Sequence, residues 1–515
     1  MLTLRLKLRN GIDRTLGLAL VALLLGTAMA FGGSVWWGRT VAVALAAAVV
    51  LGWLARVALA GPWRMLKSPI VPLGALALGL GFAQLVPMPA AVVGRISGRS
   101  LAANAAGMIP EKALGDDPSA TLPETSGLRS PLSVDRPATL RWLVGATACL
   151  ALAWVASHYC DRLGHARVIW GSVVAAFFVN VVLGSVQVSS GMGGLYGFMA
   201  PGAGPAWAPT LDDALSGPTT TVLRRVGEVR PDRPALAAAR PGRPFLIGTL
   251  MGGPGAFLAL GSLAIPLALG LATQAMAPRG TRVGLVARLR DSGQGSQVVL
   301  MLGLLVAGLV LVGLIAGPWA SAPFAVGLAI VGVPGAWSAG CRKAALATTA
   351  LLLAALAGGV ALEGHVGGGL PRPDRDGARR LRAESLAILR DFPIVGTGLG
   401  TFPTVHPYYK GGDAASATAG SSVLQWAVES GAVGVALLAT AGLWCLVRLP
   451  GAIRAVGTAD RPLAAGLLGS LVCFGLFSAI HWTVELPAVA LAASAVAGTA
   501  NRWLAGGTDL FVEQG

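Results

Sequence analysis

A chain of 515 residues in which 54% of the side chains are hydrophobic and only 12% are charged has more apolar surface than a soluble globule can bury. This composition excludes a soluble enzyme or a soluble binding protein. The net charge of +16 comes from basic residues spread over many short segments, not from one basic domain, and therefore argues against nucleic-acid binding.

The apolar residues are gathered into about twelve segments of about 17 residues or more, and as a helix each of these can cross the roughly 30 Å of bilayer hydrocarbon. We therefore predict an all-α integral membrane protein in which residues 1–515 form a single polytopic membrane domain. The predicted transmembrane helices are 15–31, 41–60, 70–87, 139–157, 167–188, 246–273, 297–316, 321–337, 344–362, 430–447, 463–480 and 484–500.

The orientation of the chain follows from its basic residues, which recur after every second apolar segment. The groups are Arg5 with Lys7, Arg9 and Arg14; Arg56 with Arg64 and Lys67; Arg162 with Arg167; Arg279 with Arg282, Arg288 and Arg290; Arg342 with Lys343; Arg448 with Arg454 and Arg461; and Arg502. Short connections on the other face carry almost no basic residues. The positive-inside rule then predicts that both termini are cytoplasmic in a bacterial inner membrane.

Three segments of the predicted external face are long enough to form a site, namely 88–138, 189–245 and 363–429. The second is rich in proline, glycine and arginine with little apolar periodicity, so we predict that it is largely irregular. The third is a large loop between helices nine and ten, and it contains the candidate active site.

A short helix is predicted in this third loop over residues 378–391, immediately before Pro393. Arginines project from one side of it, because their spacing is close to i, i+4, i+7 and i+15. These arginines are Arg375, Arg379, Arg382 and Arg390. They can bind a diphosphate through bidentate hydrogen bonds, or they can rest on anionic lipid headgroups.

Two residues of the same loop are candidates for acid–base chemistry. His406 lies in the loop with the arginines and titrates near neutrality, which suits a general base, whereas the alternative is a histidine in an interfacial aromatic belt. Glu429 stands at the start of the tenth helix, where a carboxylate is also explained by its pairing with the helix dipole.

The glycine-rich stretch 396–400 lacks the preceding strand and the following lysine of a nucleotide-binding loop, so a sharp turn is the favoured interpretation. The triplet of Asp374, Arg375 and Asp376 has the spacing of metal-binding carboxylates in some transferases, but isolated charges in a polar loop are usually solvated. We predict no metal and no cofactor.

Two stretches of the third loop resemble the O-antigen ligases and O-antigen polymerases of bacterial surface-glycan assembly. That family shows a basic residue, a short helix and then Asp-x-Pro-hydrophobic-x-Gly-x-Gly. Here the basic residue is Arg379, and residues 391–400 match the motif that follows the helix. It then shows His-Asn-x-x-Leu-Gln-x-x-x-Glu-x-Gly before the next helix, matched here by Leu424, Gln425, Glu429 and Gly431. The pieces 84–89, 131–135 and 184–187 are also similar to stretches common in the family.

The resemblance implies transfer of a glycan from a polyprenyl diphosphate to an acceptor hydroxyl on the external side of the membrane. The arginines would hold the leaving diphosphate, and the partners would be a lipid-linked glycan, a glycan or lipid acceptor and membrane lipid. The histidine that acts as base in the ligases falls on Gly420, so that role would move to His406 first, or to Glu429, or be dispensed with.

Two other interpretations compete with this one. A non-catalytic partner that binds a lipid-linked glycan is supported by the lost histidine and by the loss of two family asparagines within 248–254. An arginine of the family is also missing near 314–319. A transporter or flippase would require polar or charged residues in mid-membrane, and the predicted helices contain almost none.

Overall fold

The computed structural model of the chain describes residues 2–30, 36–60, 66, 68–106, 129–190, 253–276, 295–337, 342–365, 375–410, 416, 418–457, 460–481, 483 and 486–506. Within these residues the protein is almost entirely helical. The predicted external segment 189–245 lies outside them, apart from the helical end at 189–190.

Fifteen α-helices are found in the described residues. They are α1 (Leu2–Met29), α2 (Trp36–Ala60), α3 (Ile70–Leu85), α4 (Ala90–Ile96), α5 (Gly98–Ala106), α6 (Arg136–Tyr159), α7 (Leu163–Ser190), α8 (Gly253–Met276), α9 (Gly295–Trp337), α10 (Arg342–His365), α11 (Arg375–Asp391), α12 (Phe402–Val405), α13 (Ser422–Ala455), α14 (Arg461–Ile480) and α15 (Pro487–Gly506).

Eight helical stretches of the described chain are long and apolar enough to cross a membrane. They lie in α1, α2, α6, α7, α8, α9, α13 and α14. Shorter apolar helices of the same character are Ile70–Leu85, Ala320–Gly332 and Leu346–Leu362. Because a helix satisfies its own backbone hydrogen bonds, these stretches suit a lipid environment, and the chain is a multi-pass all-α membrane protein.

Helix α9 is 43 residues long and covers two of the predicted transmembrane segments, 297–316 and 321–337. Gly308 of α9 and Gly261 of α8 both pack on the ring of Phe177, whereas Gly327 packs against Pro266 of α8. A straight helix would separate Gly308 from Gly327 by about 28 Å, but Gly261 and Pro266 are separated by only about 7.5 Å along α8. The two halves of α9 therefore lie side by side.

Pro318 lies between these two contact points, in the predicted connection 317–320. Proline removes one helical hydrogen bond and clashes with the preceding turn, which explains a reversal at this place.

Glycines bring several helices into backbone contact. A Cβ atom on Gly270 of α8 would lie 2.9 Å from Cα of Gly466 in α14, and one on Gly359 of α10 would lie 2.3 Å from the carbonyl oxygen of Val310 in α9. Such close approach is typical of membrane helices, where van der Waals packing replaces the hydrophobic effect.

One end of the bundle carries a small unit built from two separated parts of the chain. The first part holds α4, α5 and a two-stranded antiparallel ribbon of β1 (Met88–Pro89) and β2 (Arg129–Ser130). The second holds α11, α12 and a short 3₁₀ helix at His406–Tyr408. Gln84 at the end of α3 joins the two parts, because its side chain donates to the carbonyl oxygens of Val395 and Glu429 and its own carbonyl oxygen accepts from the backbone N–H of Ser133, three residues after β2. We call this the site end of the bundle.

The two predicted loops 88–138 and 363–429 thus meet at one end, but neither is simply a loop. The first contains helices and a strand pair before α6 begins at Arg136. Helix α13 begins at Ser422, eight residues before the predicted start of a transmembrane segment at 430. It is broken at Gly431, where φ is 62° and ψ is −160°.

Candidate functional site at one end of the bundle

Helix α11 presents arginines on one side and apolar residues on the other. Arg379, Arg382 and Arg390 are exposed, and we call these three side chains the arginine face. On the other side Ser385 and Ile388 are fully buried. Arg375 begins the helix, but its side chain lies outside the described part of the structure.

The buried side of α11 packs into a small core that is separate from the core of the helix bundle. It consists of Ala103, Ile388, Phe392, Phe402, Val405, Ala419 and Val428, with Leu381 and Leu389 packed against it. The predicted helix 378–391 is confirmed, and it begins three residues earlier, at Arg375. The small core therefore holds the arginine face in one orientation.

The glycine loop, residues 396–400, follows α11 and is a tight turn. Gly396, Gly398 and Gly400 have φ values of 71°, 114° and 78°, a region that L-residues with a side chain rarely adopt. A Cβ atom on Gly396 would lie only 2.3 Å from the carbonyl carbon of Glu429. Both the conformation and the space at this position therefore require glycine.

Four backbone N–H groups of the glycine loop, those of residues 397–400, are already used within the protein. Thr397 and Gly398 donate to the carbonyl oxygens of Val428 and Glu429, each at 3.1 Å. Leu399 donates to Oε1 of Gln84 at 3.0 Å, and Gly400 donates to Oε2 of Glu429 at 2.8 Å. The loop is therefore a structural turn, and it does not offer a row of free N–H groups to a phosphate.

Glu429 is buried beneath this loop, with 3% of its surface exposed. Its carboxylate accepts hydrogen bonds from the backbone N–H of Gly400 and of Phe402, at 2.8 and 3.1 Å, and from the side-chain amide of Gln425 at 3.1 Å. Three donors offset part of the cost of removing a charge from water. The residue predicted as a possible base thus also ties the glycine loop to the start of α13.

Gln84 completes the same arrangement and was not assigned a role from the sequence. It is fully buried. Its amide nitrogen donates to the carbonyl oxygens of Val395 and Glu429, and its amide oxygen accepts from the backbone N–H of Leu399 in the glycine loop. A buried glutamine at the end of an apolar helix, just before Pro87, was the only available signal. Its partners are more than 300 residues away, so no local pattern could identify them.

His406 is buried at 1% exposure and both of its ring nitrogens have partners. Nδ1 accepts a hydrogen bond from the backbone N–H of Ser416 at 3.0 Å, so this nitrogen carries no proton. Nε2 then carries the proton and donates it to the carboxylate of Glu384, also at 3.0 Å. Burial lowers the pKa of His406, although the hydrogen bond and charge of Glu384 raise it in part.

The partner of His406 brings it against α11, since Glu384 is a residue of that helix. The structure therefore places His406 against α11 at Glu384, on a side of the helix that differs from the arginine face. With both nitrogens engaged, however, the ring has no lone pair to accept a further proton unless it gives up the bond from Ser416.

Further polar contacts join α11 and the segment before α6. The hydroxyl of Tyr409 donates to Asp391 at 2.6 Å, and Arg99 forms an ion pair with the same carboxylate at 3.5 Å. The hydroxyl of Thr404 donates to Asp135 at 2.7 Å, where Asp135 also caps the start of α6. These contacts fix the orientation of the unit on the bundle.

No group of three or more histidine, cysteine, aspartate or glutamate side chains suited to a metal ion occurs within the described residues. Asp374 lies outside them, and so does the side chain of Asp376, so the predicted spacing of these two carboxylates has no structural counterpart here.

Comparison of the chain with models of known protein families and with curated proteins finds no match.

Proposed function

We propose that this protein is a divergent glycosyltransferase of the O-antigen ligase or polymerase type, which moves a glycan from a polyprenyl diphosphate to an acceptor. The proposal combines the resemblance of residues 391–400 and 420–434 to that family with the physical character of the site end. The reaction takes place on the external side of the bacterial inner membrane, and it uses neither a metal nor a nucleotide.

The observation that carries the proposal is the arginine face. Arg379, Arg382 and Arg390 are exposed, and they have no ion-pair partner among the residues that the structure describes. A guanidinium group stays protonated and offers paired N–H donors that match the oxygens of a diphosphate. Three such groups on one rigid helix suit the binding of a dianionic leaving group better than that of a neutral sugar.

The proposed topology has twelve crossings, both termini in the cytoplasm and the site end outside. It is supported by the basic residues Arg56, Arg162 and Arg502, which lie at the ends of helices away from the site end, as the positive-inside rule requires. A polyprenyl diphosphate in the outer leaflet would then reach the arginine face from the membrane surface.

The test is deletion of the gene, analysis of surface polysaccharide on gels, and complementation with variants. We expect the deletion to remove or shorten a surface glycan, and the double substitution of Arg379→Ala with Arg382→Ala to fail to restore it. Arg380→Ala is the matched control, because Arg380 is exposed on the same helix but points away from the arginine face.

An unchanged surface glycan in the deletion strain would contradict the proposal. Complementation by the double variant as efficient as by wild type would remove the arginine face from the site. Equal loss with Arg380→Ala and with the double variant would indicate a general effect of charge on α11.

A second function, binding of a lipid-linked glycan without catalysis, is favoured by one observation. The two candidate bases, His406 and Glu429, both form hydrogen bonds within the protein through their polar side-chain atoms. The purified protein would then bind undecaprenyl diphosphate in a manner that depends on Arg379 and Arg382, but it would not transfer glycan in membranes that contain donor and acceptor.

A further inference from the structure

Helices α3 and α6 pack antiparallel below the site end, and two close contacts fix their register. A Cβ atom on Gly74 of α3 would lie 2.5 Å from a methyl group of Leu150 in α6, and one on Gly81 would lie 2.8 Å from a methyl group of Leu143. Seven residues separate the two contacts on each helix. The register is therefore the same along the pair, and it gives the relative level of the residues beyond them.

Two arginines lie at the top of this helix pair. A further step of seven residues toward the site end places Arg136, the first residue of α6, at about the level of Met88 in β1. Arg129 of β2 lies opposite Pro89 in the same ribbon. Both arginines are exposed, and neither has an ion-pair partner among the residues that the structure describes. Their charges are therefore not neutralised by the described part of the protein.

An apolar surface lies directly below these arginines. Four apolar side chains there are each more than half exposed, namely Phe82, Val86, Leu140 and Val144. In each helix they follow the contact residue by roughly a quarter of a turn, and because the helices are antiparallel this puts all four on the same side of the pair. The chain is a multi-pass membrane protein, so this side faces acyl chains.

We propose that the two arginines and the four apolar residues below them form a lipid surface, which binds an anionic phospholipid of the leaflet at the site end. A guanidinium group pairs with a phosphate through two parallel N–H donors. Packed helices lie about 8–10 Å apart, a distance that two arginine side chains can span together to reach one headgroup. A soluble anion would contact the arginines alone, whereas a phospholipid uses both parts of the surface.

The lipid surface is joined to the glycine loop by short connections. Val134, two residues before Arg136, donates its backbone N–H to the carbonyl oxygen of Thr397 at 3.0 Å. Met88 and Val395 both pack against the small core around α4. A phospholipid held by the arginines would therefore set the depth at which the site end sits in the membrane. This inference depends neither on glycan transfer nor on the arginine face.

The experiment uses the purified full-length protein in nanodiscs with equal amounts of phosphatidylglycerol and phosphatidylcholine, one of which carries a photoreactive diazirine on an acyl chain. Labelled residues are identified by mass spectrometry. In the wild type we expect residues 82–86 and 140–144 to be labelled about 25-fold more by the phosphatidylglycerol probe, because each arginine beside an anionic headgroup contributes about fivefold. Around Leu51, which is exposed in the middle of α2, both probes should label equally.

Substitutions at the arginines test the role of their charge. Arg129→Gln combined with Arg136→Gln should abolish the preference for phosphatidylglycerol at 82–86 and 140–144, whereas Arg129→Lys combined with Arg136→Lys should keep most of it, since both charges remain. Arg380→Gln is the control, because Arg380 is exposed on α11, outside the lipid surface, and it should label as the wild type does.

Equal labelling of 82–86 and 140–144 by the two probes in the wild type would overturn the inference, and so would a preference that the double glutamine variant retains. Loss of the preference in the double lysine variant as well would assign the arginines a structural role instead. Two competitors distinguish other anions. Displacement of the probe by inorganic phosphate would indicate a site for a soluble anion, and displacement by undecaprenyl diphosphate but not by unlabelled phosphatidylglycerol would indicate a site for a polyprenyl lipid. Either result would also overturn the inference.

Discussion

The two ends of the helix bundle are held together by polar clusters of different kinds. At the site end, the single buried carboxylate of Glu429 collects two backbone N–H groups and one amide. At the opposite end, Arg56 of α2 bridges two carboxylates, Asp13 of α1 at 2.5 Å and Asp161 at 3.1 Å. His165 of α7 adds a further bond to Asp161 at 2.8 Å.

The difference follows from what each end must stabilise. At the site end the chain leaves its helices and turns through three glycines, so backbone N–H groups lose their helical partners and need an acceptor. At the opposite end the helices run to their termini, and the cluster joins side chains of neighbouring helices by charge. Neutral hydrogen-bond donors to Glu429 thus stabilise a loop at the site end, whereas ion pairs join neighbouring helices at the opposite end.

The largest effect is expected at the site end, from Glu429→Leu. It leaves the N–H groups of Gly400 and Phe402 buried without an acceptor, and each such group costs about 1–3 kcal/mol. With the amide of Gln425 also released, we expect the free energy of unfolding to fall by about 4 kcal/mol. SDS titration of the purified protein measures this, and Glu429→Gln, which keeps an acceptor oxygen, should lose less. A loss below about 1 kcal/mol for the leucine variant would show that the carboxylate does not hold the loop.

The matching substitution at the opposite end is Arg56→Met. Arg56 is 8% exposed, and its removal takes the shared cation away from Asp13 and Asp161, so we expect a loss of about 3–5 kcal/mol. Adding Asp13→Asn and Asp161→Asn to this variant should recover part of the loss, because the two charges that Arg56 neutralised are then gone. Failure of the triple variant to recover stability would mean that packing of the arginine on Trp53, at 4.9 Å from the ring centroid, matters more than charge.

A pair of glycine substitutions tests whether space or conformation governs the site end. Gly396 and Gly420 have nearly equal φ values of 71° and 72°, but only Gly396 faces backbone at 2.3 Å. Gly420→Ala should cost about 1–2 kcal/mol for its left-handed conformation alone. Gly396→Ala should cost clearly more and lower the melting temperature further. Equal losses would exclude close packing on Glu429 as the reason for glycine at 396.

The smallest effect is expected from acidification, and it should appear first at the site end. Burial lowers the pKa of His406 below its usual 6.5, so the folded state binds fewer protons than the unfolded one, and its contribution to stability is lost as pH falls below 6.5. Protonation of Nδ1 would break its bond from Ser416.

At the opposite end the loss should begin at lower pH. Burial opposes ionisation of Asp161, but His165 and Arg56 outweigh it and hold the pKa of Asp161 below its usual 3.8. Its contribution is therefore kept above pH 3.8 and lost only as pH falls through the lower value. Hydrogen exchange at pH 7.5, 5.5 and 4.5 should show protection decreasing around residues 402–410 while protection around 159–165 is kept. A decrease around 159–165 first would contradict this assignment.

Local patterns in the sequence predicted the parts of the site that depend on neighbouring residues. The spacing of Arg379, Arg382 and Arg390 indicated one exposed helix face, and the structure has that face on α11. The glycines of 396–400 indicated a sharp turn, and three of them have positive φ. Both properties follow from backbone geometry within a few residues, which a single sequence contains.

Contacts between distant segments were not predictable in the same way. Glu429 was interpreted as a base or a helix-dipole partner, and its bonds to Gly400 and Phe402 became evident only when the two segments were seen together. The pairing of His406 with Glu384 and Ser416 likewise depends on how the chain folds back on α11. The contacts that fold the two halves of Gly295–Trp337 back against each other, through Phe177 and Pro266, likewise come from separate helices.

The apolar helices, the arginine face and the turn at 396–400 are thus consequences of the sequence alone, because hydropathy, helical periodicity and glycine conformation act over short distances. The partners of the His406 ring, the structural role of the Glu429 carboxylate and the contacts at each end of the bundle were decided by the tertiary structure. Those properties depend on burial and on hydrogen-bond partners brought together from segments up to several hundred residues apart.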